Sequence, residues 1–272
     1  MNGAGNDFLL IDNRAERIPE DRLPYVAKTL CERRLSIGAD GLMAIEASKA
    51  ADLKMLFFNS DGSAGEMCGN GARCICRYAF ENGLAGETQV IETTAGLVRG
   101  ERITKRLYRI RLNDPSVIED KIIEVDGHSY PCTYVELGRP GLPHAVVLMS
   151  GLRNYDENNL FELGRKMRYH KAFPKGANVN FCEIEGPDLV YERTWERGVE
   201  DFTYACGTGT GSAAAALTLK GLVSGKSVAF EMKGGRLTVD VVRKDGKITD
   251  LYLTGPTNIA AKGEITDEDL AI

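Results

Sequence analysis

Apolar and polar positions alternate along much of this 272-residue chain, and the alternation predicts strands. It runs through "FLLID", "DLKMLFFN", "TQVIETTAG", "YRIRL", "KIIEVDG", "TYVELG", "HAVVLM", "NVNFCEI", "LVYERTW", "VAFEM", "LTVDVV" and "DLYLTG". These segments are rich in β-branched residues and are punctuated by Gly, Asp and Asn. Helical spacing interrupts them at 21–32, 71–81, 160–168 and 209–222. Strands outnumber helices and adjoin through short turns, which predicts an antiparallel-rich α+β fold. Each half of the chain supplies a set of strands and one glycine-opened helix. The segment "RLNDPSVIED" (111–120) carries the Pro/Asp punctuation of a domain junction. It divides the chain into 1–114 and 115–255, with 256–272 completing the first part.

Composition narrows the class. Hydrophobic residues make up 43% and charged residues 27%, the balance of a soluble globular protein. A formal net charge of −5 with no long basic run argues against nucleic acid as a partner. Apolar stretches are too short and interrupted to span a membrane. The opening "MNGAGNDFLLID" has neither a basic n-region nor an apolar h-region, so no secretory signal is expected. Seven cysteines, an odd number spread over a large chain, fit reduced thiols in a cytosol better than a disulfide framework.

Two of those cysteines share an unusual setting. Cys206 stands in "YACGTGTGSAAAA" (204–216) and Cys68 in "EMCGNGARC" (66–74), and they are 206 − 68 = 138 residues apart, about half the chain. In each case a strand leads to the cysteine, glycines permit a tight turn and close backbone approach, and a helix follows. A helix start offers unpaired N–H groups and the positive end of its dipole, which suit a carboxylate. The same field is expected to lower the pKa of a nearby thiol. One such thiol suggests a nucleophile, whereas a matched pair suggests an acid and a base. Inverting a carbon stereocentre without a cofactor requires one group to remove a proton from one face and another to return it to the opposite face. Two helix ends holding the same α-carboxylate would stabilise the carbanion between those steps. A dinucleotide reading of "GTGTGS" fails because the spacing is GxGxG and no βαβ partner strand follows. A zinc reading of Cys68, Cys74 and Cys76 fails on ligand spacing, so no metal is expected. Cys74 and Cys76 read as packing residues, and Cys31, Cys132 and Cys182 as structural.

Together with these turns, "GAGNDF" (3–8), "FFNSDGS" (57–63), "GANVNF" (176–181) and "ERG" (196–198) resemble the blocks of the diaminopimelate epimerase family. They occur in the family's order and span nearly the whole chain. The resemblance implies a fold of two similar pseudo-symmetric halves, each a mixed, mostly antiparallel sheet wrapped round a central helix. It implies a cofactor-independent, metal-free, cytoplasmic enzyme that interconverts LL- and meso-diaminopimelate for lysine and peptidoglycan synthesis, working as a homodimer on a small amino-acid substrate. By position, Cys68 and Cys206 resemble the acid/base pair. The backbone of Gly69, Asn70, Gly207 and Thr208 would hold the reacting carboxylate. Asn6, Asn59, Asn178, Glu196 and Arg197 resemble the residues that recognise the rest of the substrate. The chemistry is apt: an arginine pairs a carboxylate in a fork, a glutamate takes an ammonium, and asparagines serve either. His144 is expected in a supporting role.

The chain departs from the family at "GRPGLPHAVV", where Leu142 stands at a position the family often fills with Asn. That removes one hydrogen bond to a charged group, worth about 1.5–3 kcal/mol unless Arg139 replaces it. The chain also starts almost at its first motif, which suggests a clipped first strand. The departures keep open another amino-acid racemase of the same fold, such as histidine racemase. Proline racemase-like enzymes typically read CGHG at the first turn, where Asn70 stands here. A thiol redox or anion-binding protein is the alternative from a different class.

Overall fold

The computed structural model describes every residue except Glu66, Asp269, Ala271 and Ile272. The last three belong to the 256–272 segment expected to complete the first half, and to that extent the expectation lies outside the described residues. The chain divides into two compact units, Met1–Ile110 with Gly255–Ile272, and Arg111–Thr254.

The first unit begins with β1 (Asn2–Gly3), β2 (Asn6–Asp12), a single helical turn α1 (Asn13–Glu16) and α2 (Leu23–Leu30). It continues through β3 (Gly41–Glu46), β4 (Leu53–Asn59), β5 (Ala64–Gly65), α3 (Gly69–Glu81), β6 (Thr88–Thr93), β7 (Gly96–Arg102) and β8 (Leu107–Leu112). β1 and β2 are antiparallel, β2 and β3 parallel, β3 and β4 antiparallel. β4 pairs in parallel with β6, and β6–β7–β8 is an antiparallel meander. Strands β1, β2 and β7 lie against α3. The outer helix α2 buries Leu23, Val26, Ala27 and Leu30 against Leu42, Ala44, Leu56 and Phe58 of β3 and β4. Each leucine, valine or phenylalanine among them contributes about 1.5–3 kcal/mol when fully buried.

The second unit repeats this order after one additional strand. Its elements are β9 (Pro115–Val125), β10 (His128–Leu137), β11 (Leu142–Leu148), α4 (Glu157–Arg168), β12 (Asn178–Gly186), β13 (Leu189–Glu196) and β14 (Asp201–Thr203). Then come α5 (Gly207–Leu219), β15 (Val228–Met232), β16 (Gly235–Lys244) and β17 (Lys247–Pro256). β10 and β11 are antiparallel, β11 and β12 parallel, β12 and β13 antiparallel. β13 pairs in parallel with β15, and β15–β16–β17 is again a meander. Helix α5 touches β9, β10, β11, β12 and β16. The outer helix α4, capped by the Asp156 carboxylate on the Asn159 N–H, sets Leu160, Leu163 and Met167 against Phe181 and Trp195.

The α+β fold expected from the sequence is therefore present, with strands in the majority and each unit's sheet curved about one buried helix. The predicted 21–32 helix is shorter, because residues 20–22 form a 3-10 turn and Pro24 lies in the first turn of α2. Strand β3 has no period-2 pattern to find, since Gly41 to Ile45 are all buried. It is covered on both faces, and such strands read as continuous apolar runs. Among the described residues no helix is long and apolar enough to cross a membrane.

Candidate active site

Each central helix is preceded by the same sequence of events. β4 ends at Asn59, β5 follows, and Cys68 is the residue before α3. β13 ends at Glu196, β14 follows, and Cys206 is the residue before α5. The two cysteines have nearly the same extended backbone, φ −121°, ψ 117° and φ −118°, ψ 104°, and each helix is 13 residues long. The Cys68 carbonyl accepts from the Ala72 N–H at 2.8 Å, and the Cys206 carbonyl from the Thr210 N–H at 2.9 Å. Gly69 and Asn70 open α3, and Gly207 and Thr208 open α5. N–H groups in a first turn have no carbonyl partner within their own helix and favour an anion.

In the first unit a polar chain runs away from the helix start. Arg73 Nη2 donates to Asn70 Oδ1 at 2.6 Å, which leaves the Asn70 amide to donate to Asn6 Oδ1. Asn6 Nδ2 in turn donates to Asp40 Oδ2 at 3.2 Å, and Arg33 bridges Asp40 and Asp7. Asn6 and Asn70 are thus brought together. Asn59 belongs to a separate set, donating to the Ser63 hydroxyl at 2.9 Å, which donates to Asp61 at 2.6 Å. Cys68 is half-buried. Arg73 is fully buried, and burial draws its pKa down to about 10, so it remains a cation at neutral pH.

In the second unit Asn178 ties two loops together. Its Oδ1 accepts from the Arg197 N–H at 2.7 Å, and its Nδ2 donates to the Pro143 carbonyl at 3.0 Å. This fixes Arg197, the residue after the Glu196 end of β13, to the start of β11, which carries Leu142. Arg197 Nη1 donates to the Lys175 carbonyl at 3.2 Å, while Arg139 is exposed. His144 is fully buried, with Nδ1 3.2 Å from Asn180 Nδ2. The Asn180 amide donates there, so the Nδ1 side accepts and the ring is neutral. Burial and the nearby Arg197 charge push the His144 pKa down to about 3. Asn180 Oδ1 accepts from the Thr194 hydroxyl at 3.0 Å.

The thiol of Cys206 departs from expectation. The helix end was expected to lower its pKa, but burial pushes it well above the ordinary value and the Glu196 charge adds to the rise. The Thr208 hydroxyl, 3.5 Å from Sγ, and the Gly209 N–H act in the opposite direction and lose. Cys206 is therefore a protonated thiol at neutral pH, able to donate a proton. Cys74 and Cys76 are buried, and desolvation raises each to about 12, which suits packing residues. Sequence reading missed Asp40, Arg73, Asn180 and Glu192. Arg73 was visible within "CGNGARC", and Glu192 shares an inward-facing period with Val190 and Thr194.

A family model described as diaminopimelate epimerase matches residues 1–104 and 139–260. A diaminopimelate epimerase from Aquifex aeolicus is 37% identical, covering 99% of this chain and 98% of its own. One from Archaeoglobus fulgidus is 36% identical over 94% of this chain and 91% of its own. Among solved structures, a phenazine biosynthesis protein of the PhzF family from Bacillus anthracis superposes with a TM-score of 0.70 at 17% identity, covering 94% of this chain and 91% of its own. A hydroxyproline epimerase from Agrobacterium vitis superposes with 0.67 at 20%, covering 94% and 86%. The last two share the fold. The matches in sequence go further: this chain is an isomerase that belongs to the diaminopimelate epimerase family.

Proposed function

We propose that the chain interconverts LL-2,6-diaminopimelate and meso-2,6-diaminopimelate by a two-base mechanism in which Cys68 and Cys206 serve opposite faces of the reacting α-carbon. One thiolate takes the α-hydrogen as a proton, leaving its electron pair on the carbon and its carboxylate. The other thiol returns a proton to the opposite face, so the two sulfurs exchange protonation states each turnover. N–H groups of Gly69, Asn70, Gly207 and Thr208 hold the carboxylate as charge builds on it. Asn6, Asn59, Asn178, Glu196 and Arg197 recognise the substrate's other groups, and His144 supports Asn180. In this reading the halves are 1–114 with 256–272 and 115–255, and the enzyme acts without cofactor as a cytoplasmic homodimer. The observation that carries the proposal is the repeated cysteine cap, with matching backbone at the same place in two topologically equivalent units.

The test is α-proton exchange in D₂O followed by NMR, with reduced protein and LL-diaminopimelate, and histidine, lysine and proline in parallel. Exchange with diaminopimelate alone, lost in both Cys68→Ala and Cys206→Ala, is expected. Exchange with a different amino acid would keep the mechanism and move the substrate, with the Leu142 turn as the reason. No exchange with any of the four would overturn the two-thiol reading.

A further inference from the structure

Glu192 is an acid with no cation beside it among the described residues. It lies on β13, 1% exposed, paired across the ladder with Cys182 of β12. Its Oε2 is 2.7 Å from the Thr210 hydroxyl of α5, and its Oε1 is buried with no hydrogen-bond partner among the described residues. The other ionisable groups facing it are Cys182 and Cys206; Glu196 is on its own strand. A carboxylate left in such surroundings is costly, and the usual escape is to keep the proton.

The hydrogen-bond stoichiometry makes the same demand. Thr210 Oγ1 also lies 3.0 Å from the Cys206 carbonyl oxygen. A hydroxyl has a single proton. With Glu192 ionised, two acceptors compete for it. With Glu192 protonated, both contacts are satisfied in one direction.

We propose that Glu192 is a positioning residue for Cys206 that works as a neutral acid: its O–H donates to Thr210 Oγ1, and the Thr210 hydroxyl donates to the Cys206 carbonyl. The chain Glu192–Thr210–Cys206 fixes the residue before α5 by a side-chain bond in addition to the helix's own N–H, and it places no negative charge beside the thiol. The role extends the assignment of Cys206 as a proton-transferring thiol and rests on it. Burial raises Glu192 to about 8, so the acid form holds at neutral pH and fails in mild alkali. Ionisation then breaks the donor chain and sets a charge near Cys206 that opposes thiolate formation.

The experiment compares the wild type with Glu192→Gln and Glu192→Met in two readouts. The first is the α-proton exchange rate from pH 6 to about 10. The second, independent of substrate, is alkylation of Cys206 by iodoacetamide against pH, followed by mass spectrometry. Glutamine keeps a neutral donor for Thr210, so exchange at pH 7 should stay within about twofold, and the wild type's decline above pH 8 should disappear. Its Cys206 alkylation should rise at lower pH than in the wild type. Methionine cannot donate, and exchange should fall at least tenfold while circular dichroism stays native. Glutamine failing as badly as methionine, or Gln and wild type sharing one alkaline limb and one alkylation profile, would overturn the role. If no variant exchanges diaminopimelate yet the alkylation profile shifts as described, the substrate assignment fails and the positioning role stands.

Discussion

Within the first two turns of α3 the buried basic side chain is Arg73; against the first turn of α5 the buried acidic side chain is Glu192. The residues before the two helices, Cys68 and Cys206, have nearly the same dihedral angles, yet the buried groups are of opposite kind. Arg73 keeps its charge at neutral pH and feels the thiols of Cys74, Cys68 and Cys76. Glu192 keeps its proton and is neutral. Each also holds a polar residue of its helix's first turns, Arg73 the Asn70 amide and Glu192 the Thr210 hydroxyl. The proposed two-base mechanism begins with one thiol protonated and the other not. The units share the scaffold and differ in the buried charge-bearing group beside it, Arg73 in one and Glu192 in the other. Burial around Cys206 favours its protonated form.

The largest expected break comes from glycine. A Cβ on Gly209 would sit 2.2 Å from Asn180 Oδ1, an atom held by Thr194 in the buried network that also holds His144. A Cβ on Gly71 would sit 1.7 Å from Met43 Cε, the end of a flexible thioether that can turn aside. Gly209→Ala should therefore cost about 3 kcal/mol of stability and most of the activity, and Gly71→Ala about 1 kcal/mol or less. Equal losses in denaturant titrations would show that the two helix starts are packed alike.

Next in size is the cation itself. Two nitrogens of Arg73, Nε and Nη1, are buried without partners among the described residues, so its burial is retained at a cost to the fold. Arg73→Met should lower exchange by about 10- to 100-fold, the worth of a charged hydrogen bond on Asn70. The same change should leave Tm unchanged or raise it, because an apolar side chain suits that site better. A collapse in Tm with activity lost in proportion would make Arg73 merely structural.

Much of this was legible in the sequence, and what was not has physical causes. Alternation located the strands that have one buried face, and the glycine-opened helices were evident from spacing. The shared setting of Cys68 and Cys206 was legible because each stands between a strand and a glycine-opened helix. β3 was hidden because both faces are covered, which erases the period. Arg73 and Glu192 were hidden for a different reason: a charged letter in a helix or strand usually faces water, and only the packing shows that these two do not. The direction of the Cys206 pKa was misread because a helix end is local and visible, whereas burial is supplied by residues distant in sequence.

The smallest effect separates the units by pH. Arg73 does not titrate between pH 3 and 8, whereas His144 and Glu192 of the second unit both do. His144 falls from 6.5 to about 3 on folding, so its contribution is full above pH 6.5 and is lost as pH drops towards 3. Glu192 rises from 4.5 to about 8, so its contribution is full below pH 4.5 and is lost as pH climbs towards 8. Each slope is at most about 1.4 kcal/mol per pH unit, the value for one proton. Between pH 4.5 and 6.5 the two slopes have opposite sign and cancel. The wild type should thus show a stability plateau there, falling away on both sides. Glu192→Gln should tilt the plateau upward with pH, and His144→Gln should tilt it downward, whatever either change does to absolute stability. Urea midpoints measured across that range for the three proteins provide the check. Two tilts of the same sign would mean that one of these groups does not hold the protonation state its burial demands.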